Sequence, residues 1–342
     1  MLRNPISLLA FSFLLFTLTS CEVEFSPNAD WEEVPVVYCM LDQDDDTTWV
    51  RVEKCYLGEG DIYSPGLISD SVNYPEGTLD IKLYAIRDNN AIDSISFNYT
   101  LRDRDSGNFA YQQQPLYWAY TRRRLREDCF YRLVVRKAAT GDTLAWGETA
   151  LIVKTENSVI TYVNQSGRFG FFFNNACDIR WRALTNARLY QPYIRFYYTI
   201  MDTLPSGVMV DVDTLFVDTP CGLVHSRNNV TTYNTSYQRE SFLNALREAL
   251  KDDPRPKGYP MIADVYVTAC TEDLNAYINS VSQMSDIDQG REVYTNIHGG
   301  LGVFAARRAH IYKRVECDPS DNETAAHTGL HVLLKKLGVG FI

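Results

Sequence analysis

The chain has 342 residues, with 33 basic and 43 acidic side chains and a formal net charge of −10 at pH 7. This acidic balance argues against nucleic acid as a partner, because proteins that bind it carry basic surfaces. Hydrophobic residues make up 45% of the chain and charged residues 22%, which is typical of a globular protein and not of a disordered one.

The first 21 residues carry a targeting signal. Arg3 precedes an apolar run over residues 6–18, which is short for a membrane span but suits the hydrophobic region of a signal peptide. The sequence Leu18-Thr19-Ser20-Cys21 resembles a bacterial lipobox, in which Cys21 is diacylated, for example with palmitate, and becomes the first residue of the mature chain. We therefore predict a lipoprotein signal peptide over residues 1–20 and a lipid anchor at Cys21. The alternative is an ordinary secretory signal in which the cysteine is incidental.

The mature chain is predicted to begin with a tether and a β-sandwich. Residues 21–30 are polar and contain proline, as expected of a tether. Strand-like runs separated by turn signals follow at residues 34–41, 48–57, 79–86, 94–101, 130–137 and 143–153. Short strands at this spacing predict an immunoglobulin- or fibronectin-like β-sandwich over residues 31–155.

The second region, residues 156–315, is predicted to be a strand-dominated α+β domain. Its strand-like runs lie at residues 169–173, 179–183, 193–202, 208–217, 261–269 and 302–306. Apolar residues recur at helical spacing over residues 239–251, and a second short helix is expected after Thr271, a plausible N-cap. Residues 316–342 form a C-terminal tail, with a short helix predicted over residues 322–337. The fold class is therefore mainly β with two short helices in the second domain.

Three stretches resemble an uncharacterised family of outer-membrane lipoproteins of Bacteroidota. They are residues 36–42 with 50–60, the hairpin 131–149, and residues 271–278 with 294–304. The resemblance implies an outer-membrane lipoprotein of unknown activity that accompanies a TonB-dependent transporter, and it brings no catalytic residues with it. The chain departs from the family pattern at Cys39 and Cys55, which suggests a disulfide peculiar to it. Glu22 and Glu24 resemble the surface-export signal of the same bacteria.

Six triplets, in which Asp is followed by Ser or Thr and then by an apolar residue or by Thr, resemble the O-glycosylation sequon of this phylum. The candidate acceptors are Thr47, Ser71, Ser94, Thr143, Thr203 and Thr214. The alternative interpretation is that such triplets simply begin strands after turns.

Metal binding is considered at two places and predicted at neither. Residues 42–53 place Asp42, Asp44, Asp46, Thr48 and Glu53 at the ligand positions of a calcium loop. However, Thr47 stands where that loop needs glycine, so a solvated hairpin tip is favoured. His327 and His331 are four residues apart, but a solvated tail is the favoured interpretation. His298 precedes Gly299-Gly300, where the glycines predict a turn with positive φ.

No catalytic motif and no cofactor are predicted. There is no Gly-x-Ser-x-Gly sequence, and the seven cysteines after Cys21 are widely spaced, which argues against zinc. The arginine-rich run 122–126 has donors for an anionic glycan or phosphate, but a solvated strand edge or loop is favoured. The aromatic residues just before it suit either sugar stacking or the core, and are Tyr111, Tyr117, Trp118 and Tyr120. The sequence therefore predicts a non-enzymatic binding or accessory subunit, with a structural or adhesin subunit, or a glycan- or peptide-processing enzyme, as the alternatives.

Overall fold

The structure, a computed structural model, describes residues 33–55, 69–103, 113–154, 160–164, 167–171, 175–259, 262–282, 293–318 and 328–342. The predicted signal peptide, the tether and Cys21 lie outside these residues. The chain is mainly β with several sheets and short helices, as the sequence predicted.

Eighteen strands are described. They are β1 Pro35–Asp42, β2 Thr47–Lys54, β3 Leu79–Arg87, β4 Asn90–Ser96, β5 Asn98–Asp103, β6 Gln113–Tyr120, β7 Phe130–Lys137, β8 Thr143–Ala150, β9 Ile160–Val163, β10 Ala176–Arg182, β11 Leu189–Thr203, β12 Met209–Pro220, β13 Val224–His225, β14 Thr232–Gln238, β15 Lys257–Gly258, β16 Ile262–Cys270, β17 Ile297–His298 and β18 Leu301–Glu316. The described helices are α1 Ser69–Val72, α2 Arg239–Leu250, α3 Glu272–Ser282 and α4 Leu330–Leu337.

One large sheet of ten strands runs through the described part of the molecule. Its main order is β12-β11-β16-β18-β1-β2-β6-β5, and β13 and β15 also pair with β11. The first strand and the last are parallel neighbours, with Val36 opposite Leu301 and Asp42 opposite Arg307. The sheet therefore crosses the boundary predicted between residues 155 and 156, and the division into two domains stays a prediction.

Two hydrophobic cores lie on the same face of this large sheet. A five-stranded sheet, β17-β8-β7-β3-β4, covers the first, which we call the sandwich core. There Val37 and Val50 of the large sheet meet Leu83 and Leu133 of the covering sheet, and Phe304 of β18 is fully buried with them. Because side chains alternate along a strand, the residues between these point to the opposite faces of both sheets.

The second core, which we call the aromatic core, lies beside the first. The three-stranded sheet β14-β10-β9 and the helices α2 and α4 contribute to it. Phe242 of α2 is fully buried, and its ring centroid lies 5.2 Å from that of Phe169 and 5.5 Å from that of Phe196. Strand β18 contributes to both cores, with Phe304 in the sandwich core and Val315 in the aromatic core.

The C-terminal segment differs from the predicted solvated tail. The described helix begins at Leu330, not at residue 322, and residues 319–327 lie outside the described residues. Leu330, Leu333, Leu334 and Leu337 are buried in the aromatic core, because four apolar residues share one face of this short helix. The segment after Cys317 is thus part of the fold wherever it is described.

Two other predictions need correction. Strand β18 runs ten residues past the predicted end at residue 306, because Arg307 and Arg308 interrupt the apolar pattern but find carboxylate partners. A Cys39–Cys55 disulfide does not fit: Cys39 lies opposite Val50, whereas the Cys55 amide donates to the Val34 carbonyl. The two cysteines are thus displaced along the hairpin by about 16 Å, well beyond the reach of a disulfide.

Candidate functional site

The solvent face of the five-stranded sheet forms a groove. On β7, Leu133 and Val135 point into the sandwich core while Arg132 and Arg136 point outward, as strand alternation requires. The groove has a volume of about 750 Å³ and is lined by Tyr84, Ile86, Asn89, Ala91, Phe130, Arg132, Val134, Arg136 and Glu148. A smaller cavity of about 280 Å³ shares Phe130 and Glu148 with it and reaches Arg188 and Glu272. We call the larger concavity the sheet groove.

One end of the sheet groove is polar and basic. Arg136 Nη1 donates to Tyr84 Oη over 3.0 Å, and its guanidinium carbon lies 5.8 Å from the centroid of that ring. Arg132, opposite Tyr84 in the sheet, donates from Nε to Glu148 Oε1 over 2.7 Å. Arg132 therefore has a carboxylate partner within the groove, and Arg136 has a phenol.

A stack of planar groups borders this end. The guanidinium carbon of Arg132 lies 5.0 Å from the Trp146 ring centroid. His298 stacks on Trp146, with centroids 3.9 Å apart and planes 15° apart. The turn after His298 requires glycine, because Gly299 has φ +76° and a Cβ there would lie 2.5 Å from the Leu144 carbonyl oxygen. The predicted glycine turn is thus confirmed, and it brings β17 alongside β8.

The other end of the sheet groove is apolar. Phe130 is 63% exposed and lies beside Ile86, opposite it in the sheet. Val134 is buried and also lines the groove, but it lies between Arg132 and Arg136 on the same strand. An exposed phenylalanine shared by two adjoining cavities offers apolar area that a ligand would remove from water.

The sequence analysis did not select any residue of this groove. The signal that was available is the alternation in Phe130–Lys137, where Phe130, Arg132 and Arg136 occupy the outward positions of a strand whose other face is apolar. A concave surface is formed together with neighbouring strands that are distant in sequence. The pattern of one strand therefore does not show which of its outward residues line a groove.

The acidic loop 42–46 is ion-paired. Asp42 lies 3.1 Å from Arg307 Nε, Asp44 lies 2.9 Å from Lys154 Nζ, and Asp46 lies 3.0 Å from Arg122 Nη1. A calcium ion would have to displace these cations from three of its five expected ligand residues. Among the described residues, no group of three or more His, Cys, Asp or Glu side chains is arranged to hold a metal. The tip is nonetheless solvated, as the sequence predicted, because Asp44, Asp45 and Asp46 are exposed.

Behind this loop, charged groups lie between the two cores. Arg308 is only 13% exposed at its side chain, bonds Glu127, and donates to the Ile152 carbonyl over 3.1 Å. Burial alone would raise the pKa of Asp44, but Lys154 and Arg308 bring it below the usual value. Burial and the charge of Lys154 lower the pKa of His310, which lies on β18 with Arg308. We call Arg308, Asp44, Glu127 and Lys154 the inter-core ion cluster.

The described residues of the arginine-rich run and its aromatic neighbours do not line the sheet groove. Arg122 pairs with Asp46, and Arg124 lies 2.9 Å from Asp93. Tyr117 is buried in the sandwich core, whereas Tyr120 is 55% exposed. Trp118 is half-buried on the outer face of the large sheet, and Tyr111 lies outside the described residues.

The remaining candidates do not form a further site. His331 stacks on Tyr259 with centroids 4.1 Å apart, and His327 lies outside the described residues. All seven cysteines after Cys21 are described as free thiols. Burial raises the pKa of several of these thiols, with Cys177, Cys270 and Cys317 reaching about 12, so they are protonated at neutral pH.

The six candidate glycosylation residues are all described. Ser94, Thr143, Thr203 and Thr214 are exposed, and Thr47 and Ser71 are half-buried. At three of them, the backbone N–H donates to the side chain of the aspartate just before, over 2.7–2.8 Å, and these are Ser94, Thr203 and Thr214. Glycosylation at these positions stays a prediction.

Comparison with protein-family models gave no match, and no curated protein matches the sequence. Over the residues that the structure describes, none of the helices has the length and apolarity needed to cross a membrane.

Proposed function

We propose that this chain is a surface-exposed lipoprotein of a bacterial outer membrane that binds a ligand without transforming it, as an accessory subunit of a TonB-dependent transporter. The single observation that carries the binding role is the sheet groove, in which guanidinium, phenol and exposed phenyl groups converge on one concave face. The lipobox at Cys21 and the family resemblance support the location.

The chemistry of the groove favours binding over catalysis. An arginine guanidinium stays protonated near neutral pH, so Arg132 and Arg136 serve as hydrogen-bond donors and not as acid–base groups. The carboxylate of Glu148 already accepts a hydrogen bond from Arg132. Such fixed donors orient a ligand, which is what a binding subunit requires.

We further propose that the layers around the sandwich core correspond to the immunoglobulin- or fibronectin-like sandwich predicted for residues 31–155. The shared core and the alternation of strands β1, β3 and β7 support this assignment. Strands β17 and β18, from the other end of the chain, contribute Ile297 and Phe304 to it.

The location is tested by lipid labelling and protease shaving. The wild-type chain should incorporate labelled palmitate, be cleaved by protease on intact cells, and co-purify with a β-barrel protein after mild crosslinking. Cys21→Ser should lose the label, whereas Cys55→Ser, which removes a thiol elsewhere, should keep it. Labelling of Cys21→Ser would contradict the anchor, and recovery of self-polymers alone would favour a structural subunit.

The binding role is tested with matched phenylalanine variants. Phe130→Ser removes the exposed ring of the groove, and Phe216→Ser removes a ring that is 51% exposed on the large sheet. Equilibrium dialysis against a mixture of oligosaccharides, short peptides and small carboxylates should retain fewer compounds on Phe130→Ser than on the wild-type protein. Equal retention by all three proteins would contradict binding in the groove.

A further inference from the structure

We propose that the sheet groove takes an elongated ligand that is anionic at one end and apolar or ring-shaped at the other, with Arg136 and Tyr84 binding the anion. This inference rests on the proposed binding function and names the chemistry that the same surface selects.

The anionic end follows from the partners of Arg136. Its guanidinium donates a hydrogen bond of 3.0 Å to Tyr84 and lies over that ring, and among the described residues it forms no ion pair. Asp80, which is opposite Arg136 in the sheet, pairs with Lys82 over 3.3 Å. The guanidinium therefore keeps donors for a further acceptor, and a carboxylate or phosphate oxygen is the acceptor it bonds most strongly.

Tyr84 adds a second donor at the same place. Its oxygen accepts the hydrogen bond from Arg136, so its own proton remains free to be donated. An anion at this point would thus receive hydrogen bonds from a guanidinium and from a phenol, on adjacent strands of a rigid sheet.

The net charge of the groove is positive, because its other two charged residues cancel each other. Arg132 and Glu148 neutralise each other through a hydrogen bond of 2.7 Å. Among the residues that line the groove, the charge of Arg136 is then unbalanced. In a chain with a net charge of −10, this local excess of positive charge favours an anion over a cation.

The apolar end lies farther along the strands. Ile86 lies opposite Phe130 and is two residues from Tyr84 along β3, which corresponds to about 7 Å. On β7, Phe130 is six residues, or about 20 Å, from Arg136. Phe130 is 63% exposed and shares the groove with Ile86 and Ala91. A ligand that fills the groove must therefore be elongated and must present different chemistry at its two ends.

The test compares two probes with the same phenyl-substituted four-carbon chain, one ending in a carboxylate and the other in a neutral hydroxyl. The first is 4-phenylbutyrate and the second is 4-phenyl-1-butanol, and each dissociation constant is measured by NMR titration of the full mature chain. We expect the wild-type protein to bind the carboxylate at least about tenfold more tightly than the alcohol, because a charge-assisted hydrogen bond is lost with the alcohol.

Substitutions at Arg136 and Tyr84 test whether these residues cause the preference for the carboxylate. Arg136→Gln should weaken the binding of 4-phenylbutyrate about tenfold and change that of the alcohol less than about twofold. Tyr84→Phe should weaken the carboxylate about threefold. Arg136→Lys keeps the charge and should lose only a few-fold, which tests the idea even if Arg136→Gln does not fold. Arg102→Gln is the matched control, since Arg102 lies 5.1 Å from the Trp49 ring on the other sheet.

The outcomes separate this inference from the binding role itself. Equal affinity of the wild-type protein for both probes, or equal weakening of both by Arg136→Gln, would overturn the anion site and leave the groove as a binding surface. If neither probe binds but the dialysis experiment retains neutral or cationic compounds, the inference alone falls. If neither experiment shows binding, both proposals fall.

Discussion

The sandwich core and the aromatic core are built on the same face of one sheet, but they are covered in different ways. The sandwich core is covered by a sheet in which strands such as β3 alternate between buried and more exposed residues. The aromatic core is covered by three strands and two helices, and is filled by rings such as Trp181, Phe196 and Phe242. A sheet with this alternation can hold a core with one face and present polar groups with the other, and the sheet groove lies on the sandwich side for that reason.

The largest expected loss of stability comes from truncating a side chain in the aromatic core, where the buried side chains are larger than in the sandwich core. We expect Phe242→Ala to lower the free energy of unfolding by about 4 kcal/mol, because a buried ring is replaced by a cavity among four other aromatic rings. Leu83→Ala, at an equally buried position of the sandwich core, should cost about 3 kcal/mol. Urea unfolding measures both, and a larger loss for Leu83→Ala would contradict the comparison.

A second prediction changes β18, the strand that contributes to both cores. Gly302 of β18 has φ +107°, and a Cβ there would lie 2.1 Å from the Val37 carbonyl oxygen of β1. Gly302→Ala should therefore cost about 3 kcal/mol or more, as the two parallel strands must separate or the backbone must change conformation. Gly77→Ala is the control, because Gly77 has φ +77° but nothing within 4 Å of its added Cβ, so only about 1 kcal/mol is expected. Similar losses in thermal unfolding would show that the close approach of β1 to β18 is not what requires glycine.

The third prediction concerns the inter-core ion cluster. Arg308→Gln leaves Glu127 and Asp44 without their guanidinium partner, in a place where Arg308 is only 13% exposed. The expected loss in the free energy of unfolding is about 2 kcal/mol. Arg122→Gln removes an ion pair whose arginine is 53% exposed and should cost under about 1 kcal/mol. Equal losses for the two substitutions would mean that burial between the cores does not increase the contribution of the Arg308 ion pairs to stability.

The smallest effect is a dependence on pH. Because Lys154 and Arg308 hold the pKa of Asp44 below its usual value in the folded chain, the carboxylate stabilises the fold above the unfolded pKa, and this is lost as the pH falls through the folded value. Asp44→Asn should therefore be less stable than the wild-type protein at pH 6 by at most about 1 kcal/mol, and the difference should shrink as the pH falls toward 2. Urea unfolding of both proteins at pH 6 and near pH 2 measures this difference in stability, and a difference that grows as the pH falls would contradict the prediction.

The two regions also differ in how much of them the sequence predicts. Strand β7 was predicted at its observed bounds, Phe130–Lys137, and helix α2 to within one residue, because in both an apolar period is uninterrupted. Strand β14 was missed, since only Tyr233 and Tyr237 of its Thr232–Gln238 are buried and the residues between are polar. The pairing of β1 with β18 has no local signal at all, because it depends on contacts between the two ends of the described chain.

The candidate site was less predictable than the fold. The strand that carries Phe130, Arg132 and Arg136 was predicted, but the groove also depends on Tyr84 of β3 and Glu148 of β8, which only the assembled sheet brings close. Conversely, the run of arginines at residues 122–126 drew attention by composition, and its Arg122 and Arg124 are paired with Asp46 and Asp93. The ion-pair partner of a charged residue depends on the tertiary structure and cannot be inferred from composition.

The parallel pairing of β1 with β18 also sets an order on folding. Synthesis proceeds from the amino terminus, so β1 and β2 exist as a hairpin long before residues 301–316 emerge. During that interval one edge of β1, with Val37, Cys39 and Leu41 beside it, has no neighbour, and open apolar edges of this kind associate with other chains. A chain that stops before β18 therefore has a first strand with an open edge, and its expected fate is aggregation or capture by a chaperone.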